Sequence, residues 1–253
     1  MHIIIDCTTT QNQLSHHGIG VYTRNLVKNI IEIPNIQFYL LLFDGESELD
    51  PFLRSERPNV EIVRIGKKRQ SDFLNYLWYL TQYLPKILKI KREDSVYYCP
   101  YFWVGIPSLF IPTVLMVHDM IFPLFNIYSE KSKLHNFGKM ILYWIELFKA
   151  KFCKYIVVNS TQTKKDFLKY FPKYPEEKVK VIFLDGNLEG KDPNWDEDLP
   201  SDYKDRGYFI NIGSTVVKSK NIKGVVDGYK YFLSKISEQD NKPYMIIAGR
   251  SFT

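Results

Sequence analysis

Pro112-Thr113-Val114-Leu115-Met116-Val117-His118-Asp119 decides how the chain folds. Thr113 to Val117 reads as a strand apolar on both faces, and such a strand belongs between two layers of helices in a parallel sheet. The run stops on His118-Asp119. In open parallel sheets ligands sit beyond the carboxyl ends of the strands, so these two polar side chains stand at the edge where chemistry is done. A histidine there can accept or donate a hydrogen bond to a hydroxyl, and an aspartate can orient or deprotonate one. A loop aspartate capping the next segment, beside a half-buried structural histidine, fits the same position.

Strand and helix patterns alternate on either side of this stretch. Upstream, His2 to Asp6 is a short apolar run, followed by a polar loop from Thr8 to His17. Gly18-Ile19-Gly20 then leads into Val21 to Ile31, where Val21, Leu26, Val27, Ile30 and Ile31 fall near helical spacing. Phe38 to Phe43 is continuously apolar, Glu46 to Arg57 reads as a loop with a short helix, and Val60 to Ile65 alternates as a strand does. Lys67 to Arg92 is amphipathic, with Phe73, Leu77, Leu80, Leu84, Ile87 and Leu88 in one stripe, and Val96 to Cys99 is a further strand. Downstream, Lys131 to Lys149 is helical by pattern and Tyr155 to Val158 is a strand. Thr161 to Tyr170 is a helix with Ser160 placed as its N-cap, and Val179 to Phe183 is another strand. The alternation predicts an α/β fold with parallel sheets and helices on both faces.

Composition changes at Asp185. Residues 185–206 are rich in Asp, Glu, Gly, Pro and Asn and read as a linker. After it come a strand (Tyr208 to Ile212), a glycine loop, a helix (Asn221 to Ile236) and a strand (Tyr244 to Ala248), which make one βαβ unit. The expected division is therefore a first domain over 1–184, a linker over 185–206, and a second domain over 207–253. One βαβ unit cannot bury both faces of its strands, so the second domain is expected to be only begun here. Extension of the first sheet by this unit is the other reading.

Bulk properties narrow the class. The chain has 253 residues, 45% of them hydrophobic and 15% aromatic, ample for a packed core. The formal charge of +6 is interleaved along the chain, which suits an anionic small molecule or an acidic membrane surface and is too scattered for nucleic acid. Cys7, Cys99 and Cys153 are three in number and far apart, as reduced thiols in a cytoplasmic protein would be. No charged n-region with a following apolar run is present, and no stretch approaches the roughly 20 apolar residues of a membrane span.

Beside His118 and Asp119, several candidates carry two readings each. Gly18-x-Gly20 opens a helix after the first strand, where glycines let backbone N–H groups approach an anion; a tight turn needs the same residues. Thr23 occupies the place of a third glycine, so a nicotinamide fingerprint is not supported. Arg24, one turn on, can add a phosphate contact or stay solvated. Lys218 and Lys220 flank Ser219 ahead of a helix, beside a glycine loop, and suit a diphosphate; an exposed basic turn is the other account. Asp196-x-Asp198 matches a metal-binding pair but lies in the acidic linker, and His16 and His17 stand in a polar loop near the glycines. The Lys67 to Arg92 segment packs on the sheet or lies on an anionic membrane.

With these residues in place the sequence resembles a known family. "IDCTTTQNQLSHHGIGVYTRNLVKNI", "YYCPYFWVGIP" with "PTVLMVHDMIFPLF", "KYIVVNSTQTKKDFLKYF", "VKVIFLDGN" and "FINIGSTVVKSKNIKGVVDGYKYF" with "PYMIIAGR" are similar, in that order, to the landmarks of family 4 glycosyltransferases. The resemblance implies a GT-B fold: two Rossmann-like domains facing a cleft, the donor-side one only begun. It implies transfer of a sugar from a nucleotide-sugar donor to a glycan or lipid-linked acceptor, with retention of configuration and no obligatory metal or other cofactor. Polysaccharide or glycolipid synthesis at the inner face of a membrane would be the setting. By the resemblance Gly18 and Gly20 border the cleft, His118 meets the transferred sugar, and Lys218 and Lys220 lie by the diphosphate. Ser219 stands where the family often has arginine. The family's Glu-x7-Glu donor pair has its spacing here at Glu48/Glu56 and Glu189/Glu197, outside the expected place. The chain is accordingly expected to bind donor poorly, and a non-catalytic protein that recognises a glycan or a partner is the rival reading.

Overall fold

The computed structural model describes residues 1–11, 15, 18–45, 49, 57–67, 78–101, 107–120, 133–184, 201–212, 220–237 and 241–248, with backbone alone for 133–140, 142 and 204. Two compact units are formed, Met1–Met120 with Tyr128–Leu184, and Ile121–Ile127 with Asp185–Thr253.

Seven parallel strands build the sheet of the first unit: β1 (His2–Asp6), β2 (Gln37–Leu42), β3 (Val60–Arg64), β4 (Ser95–Cys99), β5 (Thr113–Val117), β6 (Tyr155–Val158) and β7 (Val179–Val181). Their order is β3-β2-β1-β4-β5-β6-β7. The chain steps outward from β1 to β3 and then returns to the other side of β1 with β4. The carboxyl ends of β1 and β4 therefore flank the topological switch point, where doubly wound sheets part to admit a ligand. Register is continuous across it, with Ile5 opposite Leu40 on one side and Tyr98 on the other.

The apolar runs lie where burial on both faces requires them. Ile4, Ile5, Leu40, Leu41, Leu42, Leu115, Val117, Ile156 and Val158 are fully buried. On one face α1 (Gly18–Ile30) sets Val27, with Ile31 beyond its end, against Ile5, Phe38, Leu40 and Leu42. On the other face a π-helical turn (Tyr79–Tyr83) runs directly into α2 (Leu84–Ile90). Tyr79, Tyr83, Leu84 and Ile87 are buried there, while Leu80 and Leu88 stay about two-fifths exposed at 45% and 40%. The sequence stripe assumed an unbroken 3.6-residue period; the wider π turn shifts the buried face, which takes two tyrosines in place of two leucines. This part of the amphipathic segment packs on the sheet. Its earlier half, with Phe73 and Leu77, lies outside the described residues.

Two further helices are among the described residues of this unit: α3 (Lys133–Ala150) and α4 (Thr161–Tyr170). Ser160 caps α4 as its sequence position predicts, its hydroxyl oxygen accepting the Thr163 backbone N–H at 3.0 Å.

In the second unit, β8 (Tyr208–Ile212) pairs in parallel with β9 (Tyr244–Ala248), joined through α6 (Ile222–Leu233). Residues Ser201–Arg206, placed in the linker by composition, form a short helix, α5. It rests on β9: the Tyr203 and Tyr244 rings are 4.6 Å apart, and Arg206 Nε donates to the Lys242 carbonyl at 2.9 Å. No described residue of this unit is fully buried, which is what a single crossover unit permits.

Candidate functional site

The path from β1 to α1 is fixed by buried hydroxyls. Asp6, the last residue of β1, is fully buried. Its Oδ1 accepts the Thr8 backbone N–H at 2.9 Å and the Thr8 hydroxyl at 2.6 Å, and the Tyr97 hydroxyl donates to Oδ2 at 3.5 Å. Burial pushes the Asp6 carboxyl above its ordinary range, and the bonds from Thr8, Tyr83 and Tyr97 oppose this. Thr8 to Thr10 form a 3-10 turn in which the Thr10 hydroxyl donates to the Cys7 carbonyl at 2.7 Å. The Thr9 hydroxyl reaches α1 by donating to Thr23 Oγ1 at 2.9 Å. Gln11 then extends the ladder beyond β2, its amide accepting from the Phe43 N–H at 2.7 Å and donating to the Phe43 carbonyl at 3.2 Å. Residues 8–11 are thus occupied in building the loop.

This loop delivers the amino end of α1 to the carboxyl edge of the sheet. The helix starts at Gly18 itself, so both candidate glycines lie in its first turn rather than ahead of it. Gly18 is exposed, and a methyl group added there would meet nothing within 4 Å. Arg24 is half-buried and its Nη1 donates to the Ser15 carbonyl at 2.9 Å, which ties the incoming loop to the helix.

His118 leaves the end of β5 at the same edge. Tyr22, one turn along α1 from Gly18, meets the imidazole in a T-shaped pair, with centroids 5.1 Å apart and planes at 85°. His118 Nε2 lies 3.0 Å from the Pro100 carbonyl, just past β4. A carbonyl only accepts, so Nε2 carries the proton and Nδ1 is the acceptor nitrogen of the neutral ring. Burial holds the imidazole pKa below its ordinary 6.5, against the Pro100 contact and the Asp119 charge. At neutral pH the ring is therefore an uncharged hydrogen-bonding group. Asp119 is exposed beside it, and its charge helps to hold the phenol of buried Tyr143 on α3 above the ordinary range, behind the larger effect of burial.

The structure brings Gly18, Gly20, Arg24, His118 and Asp119 to one edge of one sheet. Lys220 belongs to the second unit, exposed just ahead of Asn221, whose side chain caps α6 by accepting from the Gly224 N–H at 3.3 Å. Lys218, His16, His17, Asp196, Asp198, Glu48, Glu56, Glu189 and Glu197 lie outside the described residues. Among the described residues no cluster of three metal-ligating side chains is present, and no helix is long and apolar enough to cross a membrane.

The tyrosines at the switch point went unnoticed in the sequence. Tyr97 and Tyr98 are adjacent in β4 and so face opposite sides of the sheet. The Tyr97 hydroxyl meets that of Tyr83 at 2.9 Å beside Asp6, and the Tyr98 hydroxyl pairs with that of Tyr22. A tyrosine doublet at the end of a central strand was the available signal.

A family model described as Glycosyltransferase Family 4 matches residues 16–183, about two thirds of the chain. None of the curated proteins matches the sequence. Among solved structures, the N-terminal domain of Candida albicans trehalose-6-phosphate phosphatase is similar at TM-score 0.59 and 12% identity, over 98% of this chain and 64% of that one. Anabaena HepE in complex with UDP-glucose is similar at TM-score 0.54 and 17% identity, over 98% of this chain and 60% of that one. Phytolacca americana UGT2, complexed with UDP-2fluoro-glucose and pterostilbene, gives TM-score 0.50 and 11% identity over 98% and 71%. The chain spans about three fifths of the length of the first two.

Proposed function

The chain belongs to glycosyltransferase family 4 and has the α/β architecture of GT-B proteins, and from that premise we propose that it serves transfer of a sugar from a nucleotide-sugar donor to a glycan or lipid-linked acceptor, with retention. The observation that carries the reading is the meeting of the α1 amino end with His118 at the switch point of the first sheet.

In this reading His118 binds a hydroxyl of the transferred sugar through Nδ1, and Asp119 orients a hydroxyl nearby. Gly18 leaves the start of α1 open to backbone approach, Gly20 is buried in the same turn and serves close packing there, and Arg24 keeps that turn in place through Ser15. Lys218 and Lys220 of the donor-side domain take the diphosphate, whose leaving-group charge they stabilise. No metal or other cofactor is required. The domains in this proposal run over 1–184 and 207–253. Work at the cytoplasmic face of a membrane is part of the same proposal. The support for it is a face of α3 that exposes Ile141, Trp144, Ile145 and Phe148 near Lys151.

Ligand-observed NMR with a panel of nucleotide sugars tests the proposal, together with nucleoside diphosphate release in the presence of candidate acceptors. Binding that weakens at least several-fold in His118→Ala is expected. Equal binding by parent and variant would count decisively against this site. Binding of a free glycan with no nucleotide sugar bound would favour the non-catalytic reading.

A further inference from the structure

His118 is held by a chain of contacts that begins on β4, the strand next to its own. Tyr98, next to last in β4, is half-buried, and its hydroxyl pairs with that of Tyr22 on α1. The Tyr22 ring stands perpendicular to the imidazole in a T-shaped pair, and Pro100, just past the end of β4, accepts from Nε2. On the backbone side, the Thr163 hydroxyl of α4 donates weakly to the His118 carbonyl at 3.5 Å. The imidazole is thereby contacted from α1 and from the β4 exit, and its backbone from the start of α4.

These contacts have different consequences. The Pro100 carbonyl sets which nitrogen bears the proton. The Tyr22 ring, perpendicular to the imidazole with centroids 5.1 Å apart, restricts its rotation on that side. Tyr98 does not touch His118 in this chain of contacts; it fixes the angle of Tyr22. Residues four apart in a helix share a face, so Tyr22 and open Gly18 lie one turn apart on the same side of α1. Rotation of Tyr22 would move the wall of the space beside Gly18 and release the imidazole together.

We propose that Tyr22, braced by Tyr98, is a positioning residue that holds His118 as the Nε2–H tautomer with Nδ1 kept as the acceptor for a substrate hydroxyl. This rests on the sugar-binding reading of His118, but the positioning itself is measurable without substrate. Among the described residues, the titratable groups around His118 are Tyr22 from α1, Tyr98 beyond it from β4, and Asp119 next to it in sequence. The two phenols are kept neutral by burial, which raises the pKa of each.

The test is a 15N-detected titration of the histidine rings in the whole 253-residue chain, with His118 assigned by its disappearance in His118→Gln. In the parent the ring should titrate below 6.5 as one tautomer. In Tyr22→Leu the titration should move up toward 6.5 and the ring nitrogens should report a tautomer mixture. Tyr98→Phe should move both in the same direction by less, and Tyr22→Phe should resemble Tyr98→Phe. Phe167→Leu, a buried core change on α4, should lower the melting temperature without moving the His118 titration. If Tyr22→Leu leaves tautomer and titration as in the parent, or if Phe167→Leu shifts them equally, the positioning role is overturned. If Tyr22→Leu shifts them while His118→Ala binds nucleotide sugar like the parent, the positioning stands and the sugar-binding reading of His118 falls.

Discussion

Asp6 offers a sharp test of how the β1 exit is built. Replacing it with alanine strands the Thr8 N–H and the Thr8 hydroxyl, which donate to Oδ1 at 2.9 and 2.6 Å, and loosens the 3.5 Å Tyr97 contact. A buried donor left unpaired costs about 1–3 kcal/mol, so two strong contacts and one weak one put Asp6→Ala at about 2–5 kcal/mol, a large share of a stability of about 5–15 kcal/mol. Asp6→Asn keeps an oxygen for Thr8 and should cost about 1 kcal/mol or less near neutral pH. The two variants also separate by pH. The folded pKa of Asp6 is raised above 3.8 by burial, so the native state binds this proton more tightly than the unfolded chain. The contribution is full below 3.8 and is lost as pH rises through the folded pKa, by about 1.4 kcal/mol for each pH unit between the two values. Asparagine does not titrate, so its variant should gain on the parent as pH rises. Urea unfolding followed by tryptophan fluorescence at about pH 4 and about pH 7.5 measures this, since the other carboxylates are common to both proteins. Asp6→Asn as damaging as Asp6→Ala, or a parent-to-Asn difference identical at the two pH values, would refute the reasoning.

Two further outcomes follow from local geometry. Ser160→Ala removes the acceptor of the Thr163 N–H at 3.0 Å and should cost about 1 kcal/mol, seen as a lower thermal midpoint with the His118 titration unchanged; no loss would mean the cap is idle. Gly18→Ala meets nothing within 4 Å and does not require a positive φ, so it should stabilise the chain by about 0.4–1 kcal/mol through the unfolded state while weakening nucleotide-sugar binding. Tighter binding in that variant would remove Gly18 from the proposed cleft.

Among the described residues, the sequence by itself determined the strands of both sheets and their order along the chain. Apolar runs such as Thr113–Val117 and Tyr155–Val158 can only be strands covered on both faces, and the helical periods between them force parallel crossovers. That logic also placed His118 at a carboxyl edge and Ser160 at a helix start, because both positions depend on neighbours a few residues away. What only the tertiary structure decided was which distant residues meet. A period of two says that Tyr97 and Tyr98 face opposite sides, yet not that a residue 76 positions earlier, Tyr22, waits on one of them. Nor does the pattern show that Asp6 is sealed among hydroxyls, or that a π turn puts Tyr79 and Tyr83 inside where Leu80 and Leu88 were expected. Local spacing fixes the face a side chain occupies; the strand order, set by packing of the whole sheet, fixes its partner.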